Sequence, residues 1–180
     1  MRKVVLYSLL SLDGVAESPD DFVHVFDDAM RDHLARVVAS QDCVLLGRRT
    51  YEEWAGYWPT STEAPFAAFI NDVAKYVVCS RPPASEWQQS TVVDGPVSDL
   101  VDELRSQPGG DIGVHGSIEL ARSMIEAELI DELRLVVTPA LAGSGRRLFD
   151  SDSGRHLELI EAEPTPSGAL LLGYRMRSHD

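Results

Sequence analysis

The sequence predicts a single α/β domain whose central sheet is mainly parallel and closes on an antiparallel C-terminal edge. Three observations lead there. The early apolar runs are short and continuous, as in strands covered on both faces. Stretches with helical apolar period separate them. The last two strand-like runs flank Pro164–Gly168 with no helical stretch between them, which reads as a hairpin. Strands alternating with helices, then strands alone, give helices layered on a sheet.

Taken in order, Lys3–Leu10 reads as the first strand. Phe26, Met30, Leu34, Val37 and Val38 form an apolar stripe and predict the first helix. Asp27 and Asp28 stand at its start, where the helix dipole favours acids. Cys43–Leu46 is the second strand and Gly47 its turn. Thr50 and Glu53 have capping-box spacing, so Thr50 is expected to cap the next helix. Lys75–Cys79 and Thr91–Val93 follow as strands, with the Pro/Ser segment Arg81–Ser85 as a loop between them. Val97, Leu100, Val101 and Leu104 form a second stripe. After the strand Asp111–Val114, a third runs through Ile118, Ala121, Ile125 and Leu129. Glu132–Thr138, Leu157–Glu163 and Ala169–Arg177 complete eight strands, with Glu163–Gly168 read as a loop.

Composition narrows the function. A chain of 180 residues, 44% hydrophobic, is expected to form one domain over 1–180 with a sizeable core. The formal net charge of −13 repels nucleic acid and anionic membranes. An anionic ligand must therefore be held by local arginines and backbone N–H groups. Cys43 and Cys79 lie in apolar runs and read as buried reduced thiols. The start MRKVVLYSLLSLDG is basic then apolar, as a secretory signal would be. Its apolar stretch is short and broken by Tyr7, Ser8 and Ser11, so a first strand is the better reading. No run is long enough to span a membrane, and a soluble cytoplasmic protein is expected.

Several strand ends could carry chemistry. In Gly47-Arg48-Arg49-Thr50, the turn, the free N–H groups of a helix start and two guanidinium groups suit a phosphate. The same residues also read as an ordinary capped helix with two solvated arginines. Gly113-Val114-His115-Gly116-Ser117 leads from a strand into the helix that begins near Ser117. Glycine there would let a phosphate approach the backbone, or simply make a tight connection. Ser80 and Arg81 end another strand. Parallel α/β sheets bind ligands beyond the carboxyl ends of their strands, so three such ends together could hold a pyrophosphate and a further phosphate. In Ser11-Leu12-Asp13-Gly14-Val15, Asp13 could orient a substrate or shape the turn. Gly143-Ser144-Gly145-Arg146-Arg147 reads as a glycine-rich surface turn near the ligand. No metal site is expected, since none of the five histidines pairs with Cys or carboxylates at ligand spacing.

The segments SLDG, LLGRRTYE, KYVVCSR, DIGVHGSIELA, LIDELRL and TPALAGSGRRLF occur in this order from Lys3 to about Tyr174. In that order they resemble the dihydrofolate reductase-like family that includes the reductase domain of bacterial bifunctional riboflavin-biosynthesis deaminase-reductases. The resemblance implies a dihydrofolate reductase-like three-layer sandwich with a mixed sheet of about eight strands, and NADPH as cofactor. By the same resemblance, Gly47, Arg48, Arg49 and Thr50 match the loop for the cofactor phosphates, including the adenosine 2′-phosphate. Ser80 and Arg81 match the adenosine side. Gly116, Ser117 and Ile118, with Gly113 and His115 beside them, match the turn under the pyrophosphate. Asp13, Gly14 and Val15 match the segment near the nicotinamide, and Leu141, Gly143 and Gly145 match the loop on the substrate side. Asp13 and Asp27 are the candidate catalytic carboxylates. No zinc-ligand motif of a deaminase half occurs in these residues.

The expected activity is hydride transfer from NADPH to a C=N or C=O group of a pyrimidine- or pteridine-like heterocycle. It would be of the 5-amino-6-(5-phosphoribosylamino)uracil reductase or the dihydrofolate reductase type. A non-catalytic nucleotide-binding module of the same fold is the alternative. A homodimer is expected by analogy with relatives.

Overall fold

The computed structural model describes residues 1–150 and 154–176. The strands are β1 (Val4–Leu10), β2 (Gln41–Gly47), β3 (Ala74–Val78), β4 (Ser90–Val93), β5 (Asp111–His115), β6 (Glu132–Val137), β7 (Leu157–Pro164) and β8 (Leu170–Met176). They form one eight-stranded sheet in the order β4-β3-β2-β5-β1-β6-β8-β7. The pairs from β4 to β6 are parallel. β8 runs antiparallel to both β6 and β7. All eight expected strands are present, and Arg177, the expected end of the last, lies outside the described residues.

Among the described residues, five α-helices cover the sheet: α1 (Asp28–Ala39), α2 (Arg48–Tyr57), α3 (Phe66–Asp72), α4 (Val97–Ser106) and α5 (Ile118–Glu126). Alternation along the strands sorts their side chains between two cores. Val5, Tyr7, Val44, Leu46 and Val77 meet Met30 and Leu34 of α1, Tyr51 of α2 and Ile70 of α3. Val4, Leu6, Cys43, Leu45, Ile112 and Val114 meet Leu100 and Leu104 of α4 and Leu120 and Met124 of α5. Each such fully buried aliphatic side chain stabilises the fold by roughly 1.5–3 kcal/mol. Cys43 is buried, Cys79 is half-buried and both are free thiols. Among the described residues, no helix is long and apolar enough to cross a membrane.

The helix boundaries correct three expectations. Phe26 and Leu129 pack against the cores but lie outside α1 and α5. α1 cannot begin before Asp27, because the Asp27 carboxylate caps it by accepting from the Met30 N–H at 2.9 Å. Thr50 is not a cap. α2 starts three residues earlier than its spacing with Glu53 suggested, with Gly47 as N-cap and no capping side chain. The short helix α3 was not anticipated from FAAFIND, whose seven residues are too few to show a period. Its C-terminal carbonyls of Ile70 and Val73 each accept from the buried Lys75 Nζ at 2.8 Å. That ammonium sits 4.7 Å from the centre of the Trp87 ring.

Gly113, expected in a ligand turn, lies buried inside β5. A Cβ there would come within 2.2 Å of Gln41 Oε1 and 2.9 Å of His115 Nε2. The glycine leaves room for the Gln41 side chain to cross the strand. Gly113→Ala is therefore expected to lower stability by about 1–3 kcal/mol in urea denaturation, with the slope unchanged.

Candidate functional site

β2 and β5 are parallel neighbours. The helices that follow them leave to opposite faces, α2 onto the side of Met30 and α5 onto the side of Leu104. A crevice opens where the two connections diverge, at the carboxyl edge of the sheet. The Gly47 N–H donates to Ser117 Oγ at 2.8 Å and ties the two helix starts together. Neither α2 nor α5 has a side-chain cap, so their first-turn N–H groups face the crevice without a capping partner. Gly116 lies between them at φ 67, and a Cβ there would come within 2.7 Å of the Trp54 ring. Only glycine meets both demands. The Thr50 hydroxyl lies 3.5 Å from the Gly116 carbonyl oxygen. Ser80 and Arg81 follow β3 one strand further out and are exposed.

The two arginines of the opening turn differ. Arg48 is paired to Glu52 at 3.0 Å, one helical turn on. Glu52 also accepts from the Ala84 N–H at 3.2 Å, which fastens the 81–85 loop to α2. Arg49 is exposed and makes no hydrogen bond or ion pair among the described residues. Its charge reaches Glu17, whose pKa is lowered first by hydrogen bonds from Arg146 and then by the nearby positive charges.

On the other side of the crevice, residues 11–17 and 140–148 form a stitched ribbon. The Asp13 carboxylate accepts from Ser11 Oγ at 2.7 Å and from the N–H groups of Ala142 and Gly143, each at 2.9 Å. These bonds, the Ser11 hydroxyl first, hold its pKa down at about 2. Val15 pairs with Arg147 in a short antiparallel bridge. Arg146 Nε bonds Glu17 at 2.7 Å, and its Nη1 bonds Glu119 in the first turn of α5 at 3.2 Å. The ribbon is thereby joined to the same helix start that borders the crevice.

Four expected site residues have other tasks. His115 is buried, and its Nε2 lies 2.8 Å from Gln41 Oε1, among Tyr7, Phe66 and Phe69. Burial drops its pKa to about 3, so it is a neutral core residue and not a ligand contact. Val15 is 1% exposed, and its N–H is already given to Ser11 Oγ at 3.0 Å. Asp27 bonds Met30 N–H through one oxygen and Ser167 N–H through the other, at 2.9 and 3.0 Å. Burial raises its pKa, but these and further hydrogen bonds outweigh that and leave it near 2. Asp13 and Asp27 are thus both held ionised, which suits neither to donate a proton. Ile118 is buried, leaving only its backbone toward the crevice. Leu141, Gly143 and Gly145 are exposed on the ribbon.

The structure adds Glu17, Glu52, Glu119 and Arg146. Arg146 stood in the glycine-rich turn already marked by the sequence. Its partners lie 129 and 27 residues away, beyond the reach of any local pattern.

The sequence matches the RibD C-terminal domain over residues 2–171. The chain belongs to the RibD C-terminal domain family. It is 28% identical to the uncharacterized protein YyaP of Bacillus subtilis (strain 168), over 96% of this chain and 94% of that one. Two solved structures share its fold. One is provisionally described as a riboflavin biosynthesis protein, from Shewanella sp. PV-4, with a TM-score of 0.79 and 17% identity over 98% of this chain and 99% of that one. The other is a diaminohydroxyphosphoribosylaminopyrimidine deaminase/5-amino-6-(5-phosphoribosylamino)uracil reductase from Thermotoga maritima, with a TM-score of 0.72 and 13% identity. The chain covers 57% of that bifunctional protein and is itself covered over 98%.

Two outcomes follow from these contacts. Asp13→Ala frees the Ala142 and Gly143 amides, so their hydrogen exchange is expected to speed up at least about tenfold while strands β1 and β6 stay protected. The second concerns pH. His115 has a folded pKa of about 3 against an ordinary value of 6.5, so the unfolded chain takes up the proton first. Its contribution is complete above pH 6.5 and falls as the pH drops toward 3. Burial lowers His33 in the same direction. From pH 7 to pH 5 the loss from His115 alone is about 2 kcal/mol. Chemical denaturation at both pH values checks this, and His115→Asn should flatten the difference.

Proposed function

We propose that the chain is an NADPH-dependent reductase that passes a hydride to a C=N or C=O group of a pyrimidine- or pteridine-like heterocycle. The observation that carries this reading is the pair of uncapped helix starts meeting at the switch point of the sheet, with the unpaired Arg49 beside them. The donor set suits a dinucleotide: backbone N–H groups for a pyrophosphate, the free Arg49 guanidinium for a further phosphate, and a glycine that lets the ligand approach the backbone. Family membership supports it, as does the reductase named among the solved structures of this fold.

When bound, the cofactor supplies the hydride. The chain supplies placement. The first turns of α2 and α5 hold the pyrophosphate, and Arg49 takes the 2′-phosphate. Arg48, tied to Glu52, contributes less. The ribbon anchored by Asp13 would wall the nicotinamide end. Asp13 and Asp27 stay ionised and orient backbone, so the proton that accompanies the hydride comes from neither.

Trp54 packs on Gly116, so tryptophan fluorescence should report cofactor binding. Arg49→Ala is expected to weaken NADPH by roughly 10- to 100-fold, the worth of a charge-assisted contact of about 1.5–3 kcal/mol, and to leave NADH nearly unchanged. Arg48→Ala should cost less. Absence of NADPH binding by the wild-type protein would sink the reading. Binding without oxidation of NADPH across pterins, folates and ribosylaminopyrimidines would leave the non-catalytic module instead.

A further inference from the structure

We infer that the substrate of this site carries no phosphate and is a neutral or cationic heterocycle. The inference rests on the cofactor reading above and concerns the half of the carboxyl edge that the cofactor would leave open, around the ends of β1 and β6 and the start of α1.

Four helices begin at this edge, and α4 lies at its far end, after β4. α2 and α5 are open to an anion. α1 is closed to one: the Asp27 carboxylate fills the Met30 N–H, and Asp28 occupies its first turn. A substrate phosphate therefore finds no free helix start on this side.

Cations are sparse in the chain that forms this side. The chain carries no Lys or Arg from Val4 to Met30, and none from Thr50 to Ala74. The first of these stretches spans β1 and the segment leading into α1, and holds Asp13, Glu17, Asp20, Asp21, Asp27 and Asp28. Asp20 and Asp21 are exposed, with no salt bridge among the described residues. The second stretch adds Glu63, which accepts a hydrogen bond from the Tyr57 hydroxyl. The two stretches meet: the Tyr57 pKa is raised first by the bond to Glu63, and Asp20 adds its charge to the same hydroxyl. The two guanidinium groups of the ribbon are engaged: Arg146 is held between Glu17 and Glu119, and Arg147 Nε donates to the Asp13 carbonyl at 3.0 Å.

Apolar surface stands beside these carboxylates. Leu12, Val25 and Leu141 are 64%, 59% and 74% exposed. The Leu12 N–H donates to the Ala140 carbonyl at 2.7 Å, which brings the Leu12 and Leu141 loops together. Apolar side chains and uncompensated carboxylates accept a flat ring without negative charge, and they repel a phosphate dianion. The 5-phosphoribosyl group named for the Thermotoga maritima reductase is such a dianion. This chain has built the corresponding side for something else.

The test is equilibrium binding to protein saturated with NADP+, using two matched pairs. One is 5-amino-6-(ribosylamino)uracil and its 5′-phosphate; the other is riboflavin and its 5′-phosphate. In at least one pair the unphosphorylated member is expected to bind at least about tenfold more tightly, since like charges across an interface are strongly unfavourable. The double variant Asp20→Asn, Asp21→Asn should narrow that gap while leaving NADP+ binding unchanged. Equal or tighter binding of the phosphorylated member in both pairs overturns the inference, and so does binding of no member. Either of those results leaves the cofactor reading standing. Failure of NADP+ itself to bind removes both.

Discussion

β2 and β5 lie side by side and run the same way, but the helices after them leave to opposite faces of the sheet. Most features of the site descend from that divergence. It opens a gap between two helix starts, and the bond from the Gly47 N–H to Ser117 Oγ sets the width of the gap. Ser117 Oγ accepts from Gly47 across the gap and makes no capping bond to α5. Because Gly47 has no side chain, α2 is uncapped as well. One hydrogen bond thus closes the structure and leaves two sets of amides open. Gly116 then follows of necessity, since its backbone runs at positive φ with the Trp54 ring against its α-carbon.

Charge is distributed around that gap with the same economy. Among the described residues, this acidic chain leaves Arg49 without an ion pair at an anion-friendly helix start. Two of its neighbours are committed to carboxylates: Arg48 to Glu52, and Arg146 to Glu17 and Glu119. Asp13 draws two backbone N–H groups of the 140–148 segment onto the end of β1. The carboxylates that the sequence offered for catalysis are used to shape the backbone, and the hydrogen bonds that do so keep them ionised. The result is an edge with a cationic, amide-rich half and an acidic, partly apolar half.

How much of this was legible beforehand depended on the distance over which the signal acts. Strands such as Val44–Leu46 and Ile112–Val114 are buried on both faces, so their apolar runs show directly in the sequence. The glycine and arginines of the first turn were legible because they sit within four residues of one another. Thr50 misled, because a capping-box spacing also arises when the hydroxyl sits inside the helix and leans on a neighbouring turn. His115 misled because its position beside Gly116 is in the turn by sequence, while its side chain points along the strand pleat into the core beneath Phe66. Glu17, Arg146 and Glu119 had no local signature, since their contacts exist only once β1, β6 and α5 have been brought to one edge.

The central claim is that an anionic dinucleotide lies across the gap held by Gly47 and Ser117. The most direct measurement is a titration of 15N-labelled protein with NADP+, following backbone amide resonances. The amides of Arg48–Thr50 and of Ser117–Glu119 should shift together along one saturating curve, while those of α1 and of strand β7 stay in place. Shifts confined to one of the two helix starts, or saturable shifts elsewhere with these six unmoved, would contradict it.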